Sequence, residues 1–273
     1  MLGSLLSKIY LVEEPKPQVA SEFDFYEFLK KKLTTEFVEP VPSLETVYRA
    51  SGLSRICARE EFLRFSFKVK KTRVIGHELQ MTFDIGHGFH HIVQNKWLSD
   101  ILWGDWRCKE CGKLFKECKK PSVCSCGSSD LEYQEMYFND SELCLSGHPD
   151  GVIIDPSNGE RYLLELKTVN SKSFDYLISQ LRAPMSDHLD QMMIYMKFLE
   201  LKSGYILYFD KERSNYVIYR VPFDQSRFEF LVGKIKTIKN SISNGVLPER
   251  TVCSNDSCAR AKMCPVRELC FKM

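Results

Sequence analysis

The stretches GHPDGVIID at 147–155 and LLELKTV at 163–169 decide how this chain folds. Both are apolar and rich in β-branched residues and leucine, and the segment PSNG between them is a strong turn signal, so the pattern predicts two neighbouring strands. Alternation along the second strand places Glu165 and Lys167 on one face and leucines on the other. The turn brings Asp150, at the start of the first strand, towards Glu165.

The segments on either side alternate between helical and extended patterns. Helices are predicted at 21–33 (capped by Ser21), 54–67, 84–102, 188–201 and 227–242, and strands at 131–138, 144–155, 161–169, 204–211 and 216–223. This order predicts an α/β (α+β) fold with a central mixed sheet flanked by helices.

Composition divides the chain into five expected regions. They are an N-terminal arm and helix at 1–47, a helical part at 48–106, a cysteine-rich insertion at 107–130, a core at 131–247 and a cysteine-rich tail at 248–273. At 273 residues, the chain can bury one sizeable core with a small appendage.

The totals are those of an ordinary soluble protein, with 44% hydrophobic and 27% charged residues. The net charge of +2 shows no overall basic excess, although a local basic groove can lie on a neutral protein. No apolar run is long enough to span a membrane, and no secretory signal is evident. We therefore expect a cytoplasmic protein of a bacterial, archaeal or phage-infected cell, with no membrane partner. In such a compartment the clustered cysteines among the total of 11 point to metal.

Asp150, Glu165 and Lys167 form the expected chemical centre. Two converging carboxylates are unfavourable unless a cation joins them, and Mg²⁺ or Mn²⁺ prefers such oxygen ligands. A lysine beside that cation suits phosphodiester hydrolysis, because it can position the attacking water. The alternative is an exposed ion pair on an edge strand, which the flanking leucines disfavour.

Four motifs in order resemble those of RecB-like nucleases in the PD-(D/E)xK superfamily. GHPDGVI and LLELKTV are similar to its second and third motifs. Upstream, GHGFH at 86–90 resembles the G-x-x-x-H motif, and its histidine is His90. Downstream, Gln191 and Tyr195 resemble the Q-x3-Y motif and share one face of a predicted helix.

The resemblance implies a restriction-endonuclease-like core and a metal-dependent deoxyribonuclease, an exonuclease acting on single strands or DNA ends. It also implies a role in recombination, repair, or phage or CRISPR DNA processing, and a protein partner from such a system. The implied catalytic residues are Asp150, Glu165, Lys167, Gln191 and Tyr195. The implied Mg²⁺ or Mn²⁺ ligands are His90, Asp150, Glu165 and the backbone carbonyl of Leu166.

The C-terminal cysteines Cys253, Cys258, Cys264 and Cys270 resemble the tail of iron–sulfur nucleases of this superfamily, of the AddB and CRISPR-associated four-cysteine types. In those proteins one earlier cysteine completes the set, and Cys57 matches it. The resemblance implies a [4Fe–4S] cluster on Cys57, Cys253, Cys264 and Cys270, with Cys258 as a substitute for Cys253. Zinc in the same cage, or buried free thiols, is the alternative.

The insertion carries Cys108-x2-Cys111 and Cys124-x-Cys126, a spacing typical of the two knuckles of a zinc ribbon. Cys118 is an extra that could replace one of them. The insertion also carries basic residues that could grip DNA phosphates, or simply form a solvated face. These are Lys109, Lys113, Lys116, Lys119 and Lys120.

Two other classes of function compete with the nuclease. One is a nucleic-acid-binding adaptor that uses the ribbon and the cluster without cleavage. The other is an iron–sulfur redox protein. The presence of Asp150, Glu165 and Lys167 together favours the nuclease over both.

Overall fold

The computed structural model describes residues 24–273. Ser21, the predicted cap of the first helix, lies outside the described residues. That helix begins at Phe25, and the Asp24 carboxylate caps it by accepting a hydrogen bond from the Glu27 amide at 3.0 Å.

The helices and strands of the described residues follow in chain order. They are α1 (Phe25–Leu33), β1 (Thr35–Glu39), β2 (Tyr48–Arg49), a 3₁₀ segment (Ala50–Arg55), α2 (Ala58–Ser66), β3 (Lys71–Ile75), α3 (His77–Ile92), a π-helical turn (Val93–Trp97), β4 (Leu102–Cys108), β5 (Leu114–Lys119), β6 (Leu131–Gln134), β7 (Phe138–Asp140), β8 (Leu145–Gly147), β9 (Gly151–Ile154), β10 (Arg161–Val169), α4 (Ser171–Tyr176), a second π-helical turn (Leu177–Leu181), α5 (Ser186–Phe198), β11 (Ser203–Asp210), β12 (Tyr216–Pro222), α6 (Gln225–Asn244), α7 (Ala259–Lys262) and α8 (Arg267–Lys272).

A seven-stranded mixed sheet forms the centre, in the order β12-β11-β10-β9-β4-β5, with β6 also paired to β4. Only β10 and β11 run parallel among these pairs; the others are antiparallel. A two-stranded sheet (β1, β3) and a three-stranded sheet (β2, β8, β7) lie beside it. The predicted α/β fold with a central mixed sheet flanked by helices is therefore confirmed.

Helices cover both faces of this sheet, and β10 contributes apolar side chains to the core on each face. Leu163 belongs to a core with side chains of α2, α5 and α6, whereas Leu164 and Leu166 pack with Phe89 and Val93. A strand buried on both sides reads as a continuous apolar run, and LLELKTV has that character except at the two charged positions.

Several local expectations need correction. The helix expected to start near Gly86 begins instead at His77, so Gly86 and Gly88 lie inside α3. The strand expected over 131–138 is broken into β6 and β7, with Glu135 in the break. The strand expected over 144–155 is divided into β8 and β9, which belong to different sheets, and the helix expected to reach residue 102 ends earlier, because β4 begins there. Tertiary packing overrides local propensity at such boundaries.

The cysteine-rich segment continues the central sheet. β4 pairs with β9 through Leu102 and Trp103, then extends outward to pair with β5 and β6. Among residues 24–273, no helix is both long enough and apolar enough to cross a membrane.

Candidate active site

Asp150 lies immediately before β9, at the point where β9 stops pairing with β10. The last paired residues are Gly151 and Leu164. Beyond them the Leu166 amide donates to Asp150 Oδ2 at 2.6 Å in place of a ladder bond. The other oxygen, Asp150 Oδ1, lies 3.2 Å from His90 Nδ1. Asp150 therefore connects β10 with α3.

Glu165 is completely buried, and Lys167 is its charged partner. The Lys167 Nζ atom donates to Glu165 Oε1 at 2.5 Å. The second oxygen, Glu165 Oε2, is buried without a hydrogen-bond partner. Such an orphan in a native interior is costly unless something outside the polypeptide satisfies it. Because Glu165 is completely buried on β10, which lies between two other strands, the alternative of an exposed ion pair on an edge strand is excluded.

Gln191 and Tyr195 of α5 support the lysine. Gln191 Oε1 accepts from Lys167 Nζ at 3.2 Å, and Gln191 Nε2 donates to the Tyr195 hydroxyl at 3.2 Å. Both side chains are buried on the face of the sheet that carries Glu165. The two helical residues therefore hold the ammonium group in one position.

The opposite side of Asp150 contains two residues that the sequence did not single out. Glu135 Oε1 lies 3.9 Å from His90 Nδ1, and the ligand atoms of His90, Glu135 and Asp150 are all within 4.8 Å of one another. Gln94 is buried, and its Nε2 donates to Glu135 Oε1 at 3.1 Å and to the Asp150 carbonyl at 2.8 Å. Glu165 is not in this group of three.

A signal for Gln94 was present in the sequence, since it follows His90 by one helical turn. For Glu135 there was none, because the surrounding LEYQEMYF resembles an uninterrupted strand.

The charges of the site compensate one another. Burial is the largest influence on Glu165 and raises the pKa of its carboxyl to about 8. Burial alone would lower the pKa of His90, but hydrogen bonding to Asp150 and Glu135 outweighs it and raises that pKa to about 10. Burial pushes the pKa of Asp150 upward, yet His90, Lys167 and the Leu166 amide hold it below its usual range. Protonation of Glu165 removes one buried negative charge, and protonation of His90 places a positive charge beside Asp150 and Glu135.

The backbone carbonyl of Leu166 faces the same region. Within a strand the N–H and C=O of one residue point to the same side. Since the Leu166 amide donates to Asp150, its carbonyl also points away from β11 and towards the carboxylates.

The predicted cluster cysteines come together in a second region, between α2 and the C-terminal tail. Cys57, Cys253, Cys264 and Cys270 line one cavity, beside Glu60 and Arg260. Cys258 is absent from this lining; its sulfur instead caps α7, accepting from the Ala261 amide at 3.4 Å.

Burial shapes the chemistry of this cavity. It raises the pKa of the Cys57 thiol, and it is the largest influence raising the pKa values of Cys253 and Cys264 to about 11. Thiolates here consequently need a cationic centre. Arg59 connects α2 to the tail, donating to the carbonyls of Pro248 at 2.8 Å and Cys270 at 3.3 Å.

The four predicted zinc ligands also converge. The sulfurs of Cys108 and Cys126 lie 3.6 Å apart, as do those of Cys111 and Cys124, and all four are within 4.8 Å of one another. Gly112 and Gly127 have φ of 73° and 90°, the left-handed conformation that lets each knuckle turn back. Cys118 lies on β5, outside this group.

The insertion's lysines differ in their surroundings. Lys109 pairs with Asp130 at 3.4 Å, Lys113 donates to the Ser125 hydroxyl at 3.1 Å, and Lys120 lies over the Trp106 ring. Lys116 and Lys119 are exposed.

Fold and site together define a mixed α/β protein with a buried carboxylate–lysine pair next to a histidine–carboxylate group. No protein-family model matches the sequence, and no curated protein matches it.

Similar solved structures include SSO0001, 15% identical, with 90% of this chain and 95% of that chain covered. They also include an alkaline exonuclease (LHK-Exo) from Laribacter hongkongensis, 12% identical over 81% of this chain and 94% of that one. The same exonuclease in complex with dAMP is 12% identical, over 74% and 90% of the two chains. The TM-score is 0.42 in each comparison.

Proposed function

We propose that this protein is a metal-dependent DNA nuclease of the PD-(D/E)xK type that hydrolyses phosphodiesters with Asp150, Glu165 and Lys167. One observation carries the proposal. A wholly buried glutamate, with one oxygen unpartnered, lies between a lysine and the residues around a second buried carboxylate. A structural ion pair has no use for the free oxygen, whereas a metal site does.

The donor atoms fit a hard divalent cation. His90, Asp150, Glu165 and the Leu166 carbonyl would hold Mg²⁺ or Mn²⁺, since carboxylate and carbonyl oxygens are the preferred ligands of both. When bound, the cation supplies a bound water of lowered pKa and neutralises charge on the phosphate.

The side chains of the chain have separate tasks in this proposal. Lys167, held between Glu165 and Gln191, positions the attacking water and stabilises charge developing on the phosphate oxygens. Gln191 and Tyr195 keep the ammonium group in place, so that its geometry is set before DNA binds.

DNA is the proposed substrate, as single strands or ends, and the reaction is exonucleolytic. The exposed Lys116 and Lys119 offer phosphate contacts, whereas Lys109 is engaged with Asp130. Replacing both exposed lysines by alanine should weaken DNA binding. It should also lower the slope of log K against log salt by about 0.7 per lost contact on a single strand. Unchanged affinity and slope would remove these lysines from the interface.

The two cysteine groups complete the proposal as structural elements. A [4Fe–4S] cluster on Cys57, Cys253, Cys264 and Cys270 would join α2 to the tail across most of the chain, where a metal clip restrains the unfolded state strongly.

Zinc would close the ribbon at the tip of β4, bound by the four clustered cysteines. Cys111→Ser should abolish the bound zinc, measured by elemental analysis, while Cys118→Ser retains it.

The nuclease is tested on anaerobically purified protein with end-labelled single-stranded DNA and Mn²⁺ or Mg²⁺. The variants are Glu165→Gln and Asp150→Asn, with the exposed Glu229→Gln on α6 as the matched control. Loss of label with the parent and Glu229→Gln, but not with the two site variants, supports the proposal, and the product ladder shows the polarity.

No cleavage of linear or circular DNA by cluster-loaded protein in either metal would overturn the nuclease. If such protein still bound DNA, the adaptor function would take its place.

A further inference from the structure

Glu135 has no place in the nuclease site as the sequence motifs define it, yet its carboxylate points into that site. We propose that Glu135 is a direct ligand of the divalent cation, an inference that rests on the proposed metal-dependent function. The cation would be bound by Glu135 on the side of Asp150 that faces α3, together with His90.

The ligand atoms of His90, Asp150 and Glu135 converge. His90 Nδ1 is 3.2 Å from Asp150 Oδ1 and 3.9 Å from Glu135 Oε1, and one ligand atom from each residue falls within a 4.8 Å group. An imidazole and two carboxylates from three separate elements form a donor set suited to Mg²⁺ or Mn²⁺. Glu165 Oε2, on the neighbouring strand, is buried without a hydrogen-bond partner and is a further unsatisfied oxygen of this site.

A hydrogen bond from Gln94 orients the Glu135 carboxylate. Metal-binding carboxylates are usually held by a further hydrogen bond, which fixes the side chain before the cation binds. Gln94 supplies it here. This buried amide donates to Glu135 Oε1 and to the Asp150 carbonyl, so that one residue aligns both sides of the group.

Glu135 lies in the break between β6 and β7. β6 ends at Gln134 and β7 begins at Phe138. Glu135 is thereby released from the alternation of the strand, and its side chain can turn towards His90. The Glu135 side chain keeps 34% of its surface exposed, so this side of the site is open to solvent.

Glu132, on β6 three residues before Glu135, offers a matched control. Its Oε1 lies 3.6 Å from Nδ1 of His91, the residue next to His90, and it does not belong to the group with Asp150. Glu132→Gln removes the same charge from the same segment without touching the proposed ligands.

The test is Mn²⁺ affinity, measured by electron paramagnetic resonance titration of the full chain loaded with zinc and cluster, and without DNA. Glu135→Gln should weaken binding by about tenfold or more. It keeps an oxygen that can accept from Gln94, so the fold should be retained, as thermal unfolding in EDTA will verify. Glu135→Asp keeps the charge but shortens the reach, and should also weaken binding. Glu132→Gln should stay within about twofold of the parent.

The outcomes separate the two hypotheses. Parent-like affinity in Glu135→Gln, with binding lost in Asp150→Asn, overturns Glu135 as a ligand and leaves the nuclease proposal intact. Parent-like affinity in Glu135→Asp alone means that charge suffices, which also overturns direct coordination. Failure of the parent itself to bind Mn²⁺ overturns the metal site, and with it both proposals.

Discussion

Binding of Mn²⁺ to the proposed site should release about two protons at pH 7. In the metal-free protein the pKa of Glu165 is about 8 and that of His90 about 10. At pH 7 Glu165 therefore carries about 0.9 proton and His90 nearly one, and a cation bound by the carboxylate and the neutral imidazole must displace both. Asp150 contributes none, because its pKa lies below the usual range.

Isothermal titration calorimetry in buffers with different ionisation enthalpies measures this number directly. The slope of the observed enthalpy against the ionisation enthalpy gives the protons released. At pH 9 Glu165 is mostly ionised, so the release should fall to about one. In Glu165→Gln it should be about one at pH 7, provided that Mn²⁺ still binds.

Saturable binding with a release near zero at pH 7 would refute the reasoning. It would mean that the buried glutamate is already ionised and His90 already neutral before the cation arrives. A release of one proton in both the parent and Glu165→Gln would leave His90 as the sole source.

The same two raised pKa values predict how stability of the metal-free protein depends on pH. The contribution of Glu165 to folding stability is complete below pH 4.5 and is lost as the pH rises through about 8. The contribution of His90 is complete below pH 6.5 and is lost as the pH rises through about 10. Stability should therefore fall most steeply between pH 6.5 and 8, where both contributions are being lost, and urea unfolding should show this. Gly204→Ala should destabilise by about 1–3 kcal/mol in urea unfolding, because its Cβ would lie 2.6 Å from the facing Leu163 Cβ and 2.9 Å from the Leu163 backbone oxygen. Gly233→Ala in α6 meets nothing within 4 Å and should stabilise by about 0.5–1 kcal/mol; equal effects of the two changes would contradict the packing argument. Cys253→Ser should lose iron and acid-labile sulfide, whereas Cys258→Ser should retain them, and the reverse order would assign the ligand to Cys258.

Much of the site follows from short-range pattern. The alternation of LLELKTV puts Glu165 and Lys167 on one face, and the Q-x3-Y spacing puts Gln191 and Tyr195 on one side of a helix; the structure brings all four together. The paired cysteine spacings work in the same way, because each knuckle is a local turn. The strands β9 to β12 and the flanking helices had local periodic signals, so a mixed sheet flanked by helices was predictable, whereas β4 and β5 were not predicted as strands.

Tertiary structure alone decided the rest. Glu135 meets His90 only because β6 pairs with β4 and then breaks off, and neither event has a local signal in LEYQEMYF. Spacing did not distinguish Cys253 from Cys258, and only the packing of the tail against α2 places Cys253 in the cavity that Cys57 lines. Periodicity reports which face a side chain occupies within its own element. Which elements share a site depends on strand order and register, and long-range packing determines both.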